Sequence, residues 1–105
     1  MKLKLLAAVL AVGLLSTFAH ATAVTVSSAT VTTVVGSSAG RATVFLYNNG
    51  AGNLYYSKTS AGATVAAGMV LAPATGATLD GFKGSVYGIA APGASDDVRY
   101  FEVSR

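Results

Sequence analysis

The sequence predicts a single all-β domain, built as a small antiparallel β-sandwich or Greek-key barrel of about seven to eight strands. Two observations support this fold class. Short apolar segments rich in Val, Thr and Tyr alternate with turns of Gly, Asn, Asp and Pro at intervals of roughly 8–12 residues. No segment beyond residue 21 repeats its apolar residues with the period of a helix.

The first 21 residues have the three-part pattern of a cleavable signal peptide. Lys2 and Lys4 form a basic start, residues 5–15 are apolar, and Ala19-His20-Ala21 is a small-x-small cleavage site. The apolar segment is shorter than the roughly 20 residues that a membrane-spanning helix needs. We therefore expect a signal helix over residues 1–21 that is cleaved, a single domain over 22–105, and a secreted, periplasmic or extracellular-surface location with no membrane span.

The predicted mature chain has little catalytic chemistry. Removing 21 of the 105 residues leaves 84, and these include no Cys and no His. Without them, nucleophile–His pairs and zinc or copper sites are excluded. Lys58 and Lys83 lie outside any nucleophile-elbow pattern. The sequence therefore predicts a protein that is not an enzyme and that needs no cofactor.

The charge of the mature chain is close to neutral. Lys2 and Lys4 account for two of the seven cations, so residues 22–105 keep five cations against four carboxylates, a net charge of +1. The cations are scattered rather than clustered, so nucleic acid is not an expected partner. Two of the carboxylates, Asp96 and Asp97, are neighbours in a turn, where a Ca²⁺ site is the functional alternative to a simple turn signal.

Residues 24–35 begin the predicted β-domain. Val and Thr dominate this segment, and both fit a pleated surface better than a helix. It forms either two strands or one strand that bends at Ser28-Ala29. An ordinary first strand is the simpler interpretation, and a donor strand that completes the sheet of a neighbouring subunit is the alternative.

The most regular strand covers residues 41–48, where both faces carry apolar side chains. Such a pattern predicts a central strand that is covered on both sides. The Asn- and Gly-rich residues 48–53 and the apolar residues 54–58 follow directly, and together they predict a β-hairpin.

The rest of the chain contains shorter apolar segments separated by turns. The turns between them are predicted at Pro73, at Asp80-Gly81 and at residues 92–97. The segments are 64–66, as a possible short strand, then 69–71, 77–79, 86–89 and 98–103.

Tyrosine is the residue type that best fits an interaction surface here, because it combines a large apolar ring with a polar tip. Adjacent tyrosines on one strand must point to opposite faces, so some are expected to be structural. The candidate interaction residues are Tyr47, Tyr55, Tyr56, Tyr87 and Tyr100.

Five segments from residue 41 onward carry a combined pattern of strands and turns. They are Arg41-x-x-Val44-x-Leu46-x-Asn48, Leu54-Tyr55-Tyr56, Gly68-Met69-Val70-Leu71-Ala72-Pro73, Gly84-Ser85-Val86-Tyr87-Gly88-Ile89-Ala90 and Asp97-Val98-Arg99-Tyr100-Phe101-Glu102-Val103. This pattern resembles the small β-domains of tailed-phage capsid decoration and head-fibre proteins. The resemblance implies a structural role in a particle and implies no catalytic residues.

These observations together predict an exported structural protein that docks into a larger surface or virion assembly, with itself or with other structural subunits as partners. A small domain without disulfides gains stability from such assembly. The alternative is a monomeric extracellular module that binds a glycan or a protein.

Overall fold

The computed structural model describes residues 21–104, and all of them lie in strands, turns or loops. The predicted signal helix, apart from Ala21, lies outside the described residues. No helix long and apolar enough to cross a membrane occurs among residues 21–104. The strands are β1 Thr22–Ser27, β2 Thr32–Val35, β3 Arg41–Asn48, β4 Leu54–Ser57, β5 Met69–Leu71, β6 Gly76–Asp80, β7 Val86–Ala90 and β8 Ser95–Ser104.

The eight strands form two antiparallel sheets of four, which confirms the all-β class and the sandwich. Sheet 1 has the strand order β1-β8-β3-β6, and sheet 2 has the order β2-β7-β4-β5. The chain crosses from one sheet to the other at every connection except that between β4 and β5. Consecutive strands therefore rarely pair, and most of the sheet contacts join distant parts of the chain.

The predicted hairpin of residues 41–58 is wrong, because β3 and β4 belong to different sheets. The buried side chain of Asn48 accounts for the difference. Its Nδ2 donates to the carbonyl oxygens of Gly52 and Leu71, both at 2.8 Å, and its Oδ1 accepts from the amide of Gly50 at 2.9 Å. These bonds replace hairpin ladder bonds and lead the chain across to sheet 2.

The structure also decides the predictions for three other segments: residues 24–35, residues 64–66 and the start of the last strand. Residues 24–35 form two strands, β1 in sheet 1 and β2 in sheet 2, so their deletion would remove a strand from each sheet. Residues 64–66 lie in a turn rather than a strand. β8 begins at Ser95, three residues before the predicted start, because Asp96 and Asp97 pair with β1.

The core lies between the two sheets and consists almost entirely of aliphatic side chains. Its members are Val26, Val34, Val35, Val44, Leu46, Leu54, Leu71, Val86, Ala90 and Val98. β3 is central in sheet 1, as predicted, but only one of its faces is covered. Phe45 and Tyr47 point away from the core, and no described element packs over them, so both remain partly exposed.

Arg41 is fully buried at the start of β3 and ties three parts of the chain together. Its guanidinium donates to the carbonyl oxygens of Gly36 at 2.9 Å, Phe82 at 3.0 Å and Gly84 at 2.6 Å. It also contacts the Glu102 carboxylate on β8 at 3.3 Å. One side chain therefore holds the β2–β3 loop, the β6–β7 loop and β8 in fixed positions.

Arg41→Met should destabilise the domain by about 3–5 kcal/mol, because it leaves several buried carbonyl groups without a donor. Urea unfolding followed by circular dichroism measures the effect. Arg99→Met is the matched control, since Arg99 also contacts a carboxylate but does so at the surface. We expect the control to unfold at nearly the same urea concentration as the wild type, because its ion pair is exposed to solvent. Equal losses in the two variants would contradict the role assigned to Arg41.

Candidate functional site: the outer face of sheet 1

The outer face of sheet 1 carries an aromatic cluster that the pairing of β3 with β8 creates. Phe45 lies opposite Phe101, and Tyr47 lies opposite Arg99. The two phenylalanine rings have centroids 5.3 Å apart and planes inclined by 35°, a favourable tilted contact. Phe101 and its neighbour Val103 remain 39% and 51% exposed. We call this surface, with Phe45, Tyr47, Arg99, Phe101 and Val103, the aromatic face.

A shallow open groove runs over the aromatic face, with a volume of about 230 Å³. Ligand sites in enzymes are usually deeper clefts of about 300–1,000 Å³. The groove therefore suits contact with a surface or an exposed chain better than enclosure of a small molecule. Its lining residues are Ala21, Phe45, Tyr47, Asn49, Arg99, Tyr100 and Phe101.

A polar network borders the groove at the Asn49 end. The Asp97 carboxylate accepts hydrogen bonds from Arg99 Nη2 at 2.9 Å and from Asn49 Nδ2 at 2.8 Å. The hydrogen bond from Arg99 and then that from Asn49 lower the pKa of Asp97, and Asp97 in turn raises the pKa of Arg99. Because the pKa of Asp97 is lowered on folding, its contribution to stability is present at neutral pH and is lost as the pH falls through that lowered value.

Arg99→Gln should raise the pKa of Asp97 back towards the ordinary range for aspartate, because the largest cause of the lowering is removed. NMR titration of the carboxyl carbon measures the pKa in both proteins. Asn49→Ala is the graded control, and it should produce a smaller rise. A pKa of Asp97 that is the same in all three proteins would show that the network does not hold in solution.

Asp96 and Asp97, the alternative Ca²⁺ site considered from the sequence, point to opposite sides of β8 and do not converge. Asp96 is buried, and its Oδ1 accepts a hydrogen bond from the amide of Gly52 at 3.3 Å. Its Oδ2 has no hydrogen-bond partner. Within residues 21–104 no three Asp, Glu, His or Cys side chains come close enough together to hold a metal ion.

Gly50→Ala should destabilise the domain by about 1–3 kcal/mol, because the added methyl group would overlap the buried Asp96 carboxylate. Gly36→Ala is the control, since open space surrounds Gly36 and no positive φ restricts it. Thermal unfolding of both variants measures the difference. Equal melting temperatures would mean that the Gly50 loop does not pack on Asp96.

The five candidate tyrosines do not form one surface. Tyr56 and Tyr100 point inward and pack against the core. Tyr47 lies on the aromatic face, whereas Tyr55 and Tyr87 alternate with core residues and lie on the outer face of sheet 2. The prediction that the adjacent tyrosines of β4 point in opposite directions is confirmed.

Sequence reasoning did not select Phe45, Phe101, Asn49 or Arg99 as site residues. Side chains alternate between the two faces of a strand, so the sequence does put Phe45 and Tyr47 on the same face of β3. That shared face was the one signal for the aromatic face that the sequence contained. The sequence did not reveal the partner strand, because the pairing of β3 with β8 joins residues fifty or more positions apart. Without that pairing, the two phenylalanines appear unrelated.

Comparisons of this chain with protein-family models, with curated proteins and with solved structures find no match.

Proposed function

We propose that this protein is an exported, non-enzymatic structural subunit that docks onto a neighbouring protein of a surface or virion assembly through the aromatic face. The observation that carries the proposal is the cluster of Phe45, Tyr47 and Phe101, which no other described element covers. A folded domain that leaves aromatic rings exposed beside one another has a surface suited to a partner.

The composition of the aromatic face supports docking to a protein. Specific interfaces have an apolar centre, are enriched in aromatic residues and arginine, and have a polar rim. Here the rings form the centre, while Asn49, Asp97 and Arg99 form one side of the rim. The hydrogen bonds of Asp97 hold Arg99 in place before binding, which reduces the entropy lost on association.

The sequence supports the export and assembly parts of the proposal. Residues 1–21 have the signal-peptide pattern, and the absence of cysteines makes assembly a natural source of stability for so small a domain. The resemblance of five segments to phage decoration and head-fibre domains favours a subunit of a particle or surface layer over a free enzyme.

Photocrosslinking in the cells that make the protein tests the proposal. Benzoylphenylalanine at position 47 should give one discrete crosslinked protein species after illumination. The same probe at position 87, on the outer face of sheet 2, is the control and should give none. Crosslinking at 87 alone, or at neither position, would refute docking through the aromatic face.

A glycan-binding module is the second candidate, and the groove itself favours it. Aromatic rings beside the amide of Asn49 and the guanidinium of Arg99 offer an apolar surface next to hydrogen-bonding groups. A sugar ring carries the complementary groups: a C–H surface that packs on aromatic rings, and hydroxyl groups that form hydrogen bonds with the amide and the guanidinium.

Phe101→Ser should abolish docking while the fold remains, since the side chain is partly exposed and outside the core. Ile89→Ser, on the outer face of sheet 2, is the matched control and should dock normally. Crosslinking through position 47 measures docking, and circular dichroism checks the fold. Glycan-array binding by the wild type that Phe101→Ser removes, without any protein crosslink, would instead establish the glycan-binding function.

A further inference from the structure

We propose that a second copy of this chain docks against the side of the sandwich formed by β5 and β6, giving a dimer with two-fold symmetry. This surface is the edge of the sandwich, whereas the aromatic face is the adjoining outer face of sheet 1, so the inference goes beyond the proposed function and does not depend on it.

The side formed by β5 and β6 is the open side of the sandwich. At the opposite side, β1 lies close to β2 and β7 and closes the core. Between β5 and β6, by contrast, a mostly apolar groove of about 340 Å³ reaches inward to Tyr56 and Val86, and Ser57 and Lys58 also line it. Met69 from β5 and Leu79 from β6 both line it, so the two edge strands lie side by side across the groove.

The exposed apolar residues of β5 lie at this same side. Met69 and Val70 are 63% and 57% exposed, the two highest values among the large apolar residues described. Both strands are also edges, because β5 pairs only with β4 and β6 pairs only with β3. Each edge therefore presents unpaired backbone groups next to apolar side chains, which is the combination that pairs with another strand.

β6 lacks the proline, the lysine and the bulge that often protect an edge strand, and its one charged residue, Asp80, lies at its end. Its sequence Gly-Ala-Thr-Leu-Asp contains no Pro and no Lys, and its register with β3 is continuous. Proteins commonly use such residues, or bulges, to prevent edge pairing. β2, an edge of sheet 2, does have an irregular register.

The sequence of β6 is complementary to itself in an antiparallel pair centred on Thr78. In that register Ala77 lies opposite Leu79 of the second copy, on the side that faces the core. Gly76 lies opposite Asp80 of the second copy, so the two Asp80 carboxylates do not meet. Thr78 lies opposite Thr78 of the second copy, and Thr–Thr pairs stabilise a sheet, whereas like charges directly opposite one another destabilise it.

The same two-fold axis brings the β5 strands together. It runs perpendicular to the sheets, and Met69 of β5 lines the groove with Leu79 of β6, so the Met69 side chains of the two copies face one another across the joined grooves. Both grooves then face one another, and Met69 and Leu79 become covered. Two-fold dimers are the commonest symmetric oligomers, and each side of such an interface uses the same surface.

In this dimer the two aromatic faces lie on the same side. An axis perpendicular to sheet 1 joins the two copies into a sheet of twice the width, with Phe45 and Phe101 of both copies pointing the same way. Such a dimer offers two docking surfaces in parallel, and bivalent contact raises the apparent affinity without new contacts.

A single introduced cysteine tests the register, because the chain has no other. Thr78→Cys in the 22–105 protein should form a covalent dimer on mild oxidation at micromolar concentration, since the two side chains lie directly opposite. Thr25→Cys, on the edge strand β1, is the matched control and should stay monomeric on non-reducing gels. A covalent dimer from Thr25→Cys alone, or from neither variant, would overturn the proposal.

Light scattering tests the dimer without a crosslink. The wild type should have twice the mass of one chain, and Met69→Lys should have the mass of one chain while its circular dichroism spectrum is unchanged, since Met69 lines the groove and is 63% exposed. Val65→Lys, at an exposed residue of the β4–β5 loop, is the control and should remain a dimer. A wild type that stays monomeric would refute the dimer. A dimer that Phe101→Ser dissociates, but Met69→Lys does not, would assign self-association to the aromatic face instead.

Discussion

The structure depends most on the buried guanidinium of Arg41. A charged side chain in an aliphatic sandwich is costly unless its donors are satisfied, and here three carbonyl oxygens and the Glu102 carboxylate satisfy them. The guanidinium can stay buried only while the two loops keep their carbonyl oxygens against it, so it fixes the positions of both loops. Lys83 adds to this by donating to the carbonyl oxygen of Arg41 at 2.6 Å.

A second polar anchor, Asn48, occupies the other end of the same strand. Its amide group organises the loop between the sheets much as the Arg41 guanidinium organises the opposite end. β3 is therefore fixed at both ends by polar contacts, and Val44 and Leu46 pack into the core between them. The alternation that turns those two residues inward turns Phe45 and Tyr47 outward, so the aromatic face follows from the way the core is built.

The sequence was sufficient to predict the elements but not their partners. Val- and Thr-rich segments and the turns between them located most of the strands, because those signals are local. The connection between β3 and β4 shows the limit. Asn-Gly in residues 48–53 is a strong hairpin signal, yet the bond from Asn48 to Leu71, twenty-three residues away, leads the chain into the other sheet. The aromatic face was missed for the same reason, because it needs the distant pairing of Phe45 with Phe101.

Hydroxyl-radical footprinting gives the most direct test of the central claim, that the fold leaves the aromatic face open for a partner. The side chains of Tyr47 and Phe101 should be oxidised in the purified protein and protected when the protein is labelled in its native surroundings. Tyr55 and Tyr87, on the outer face of sheet 2, should be oxidised equally in both states. Equal oxidation of Tyr47 and Phe101 in both states would contradict the account.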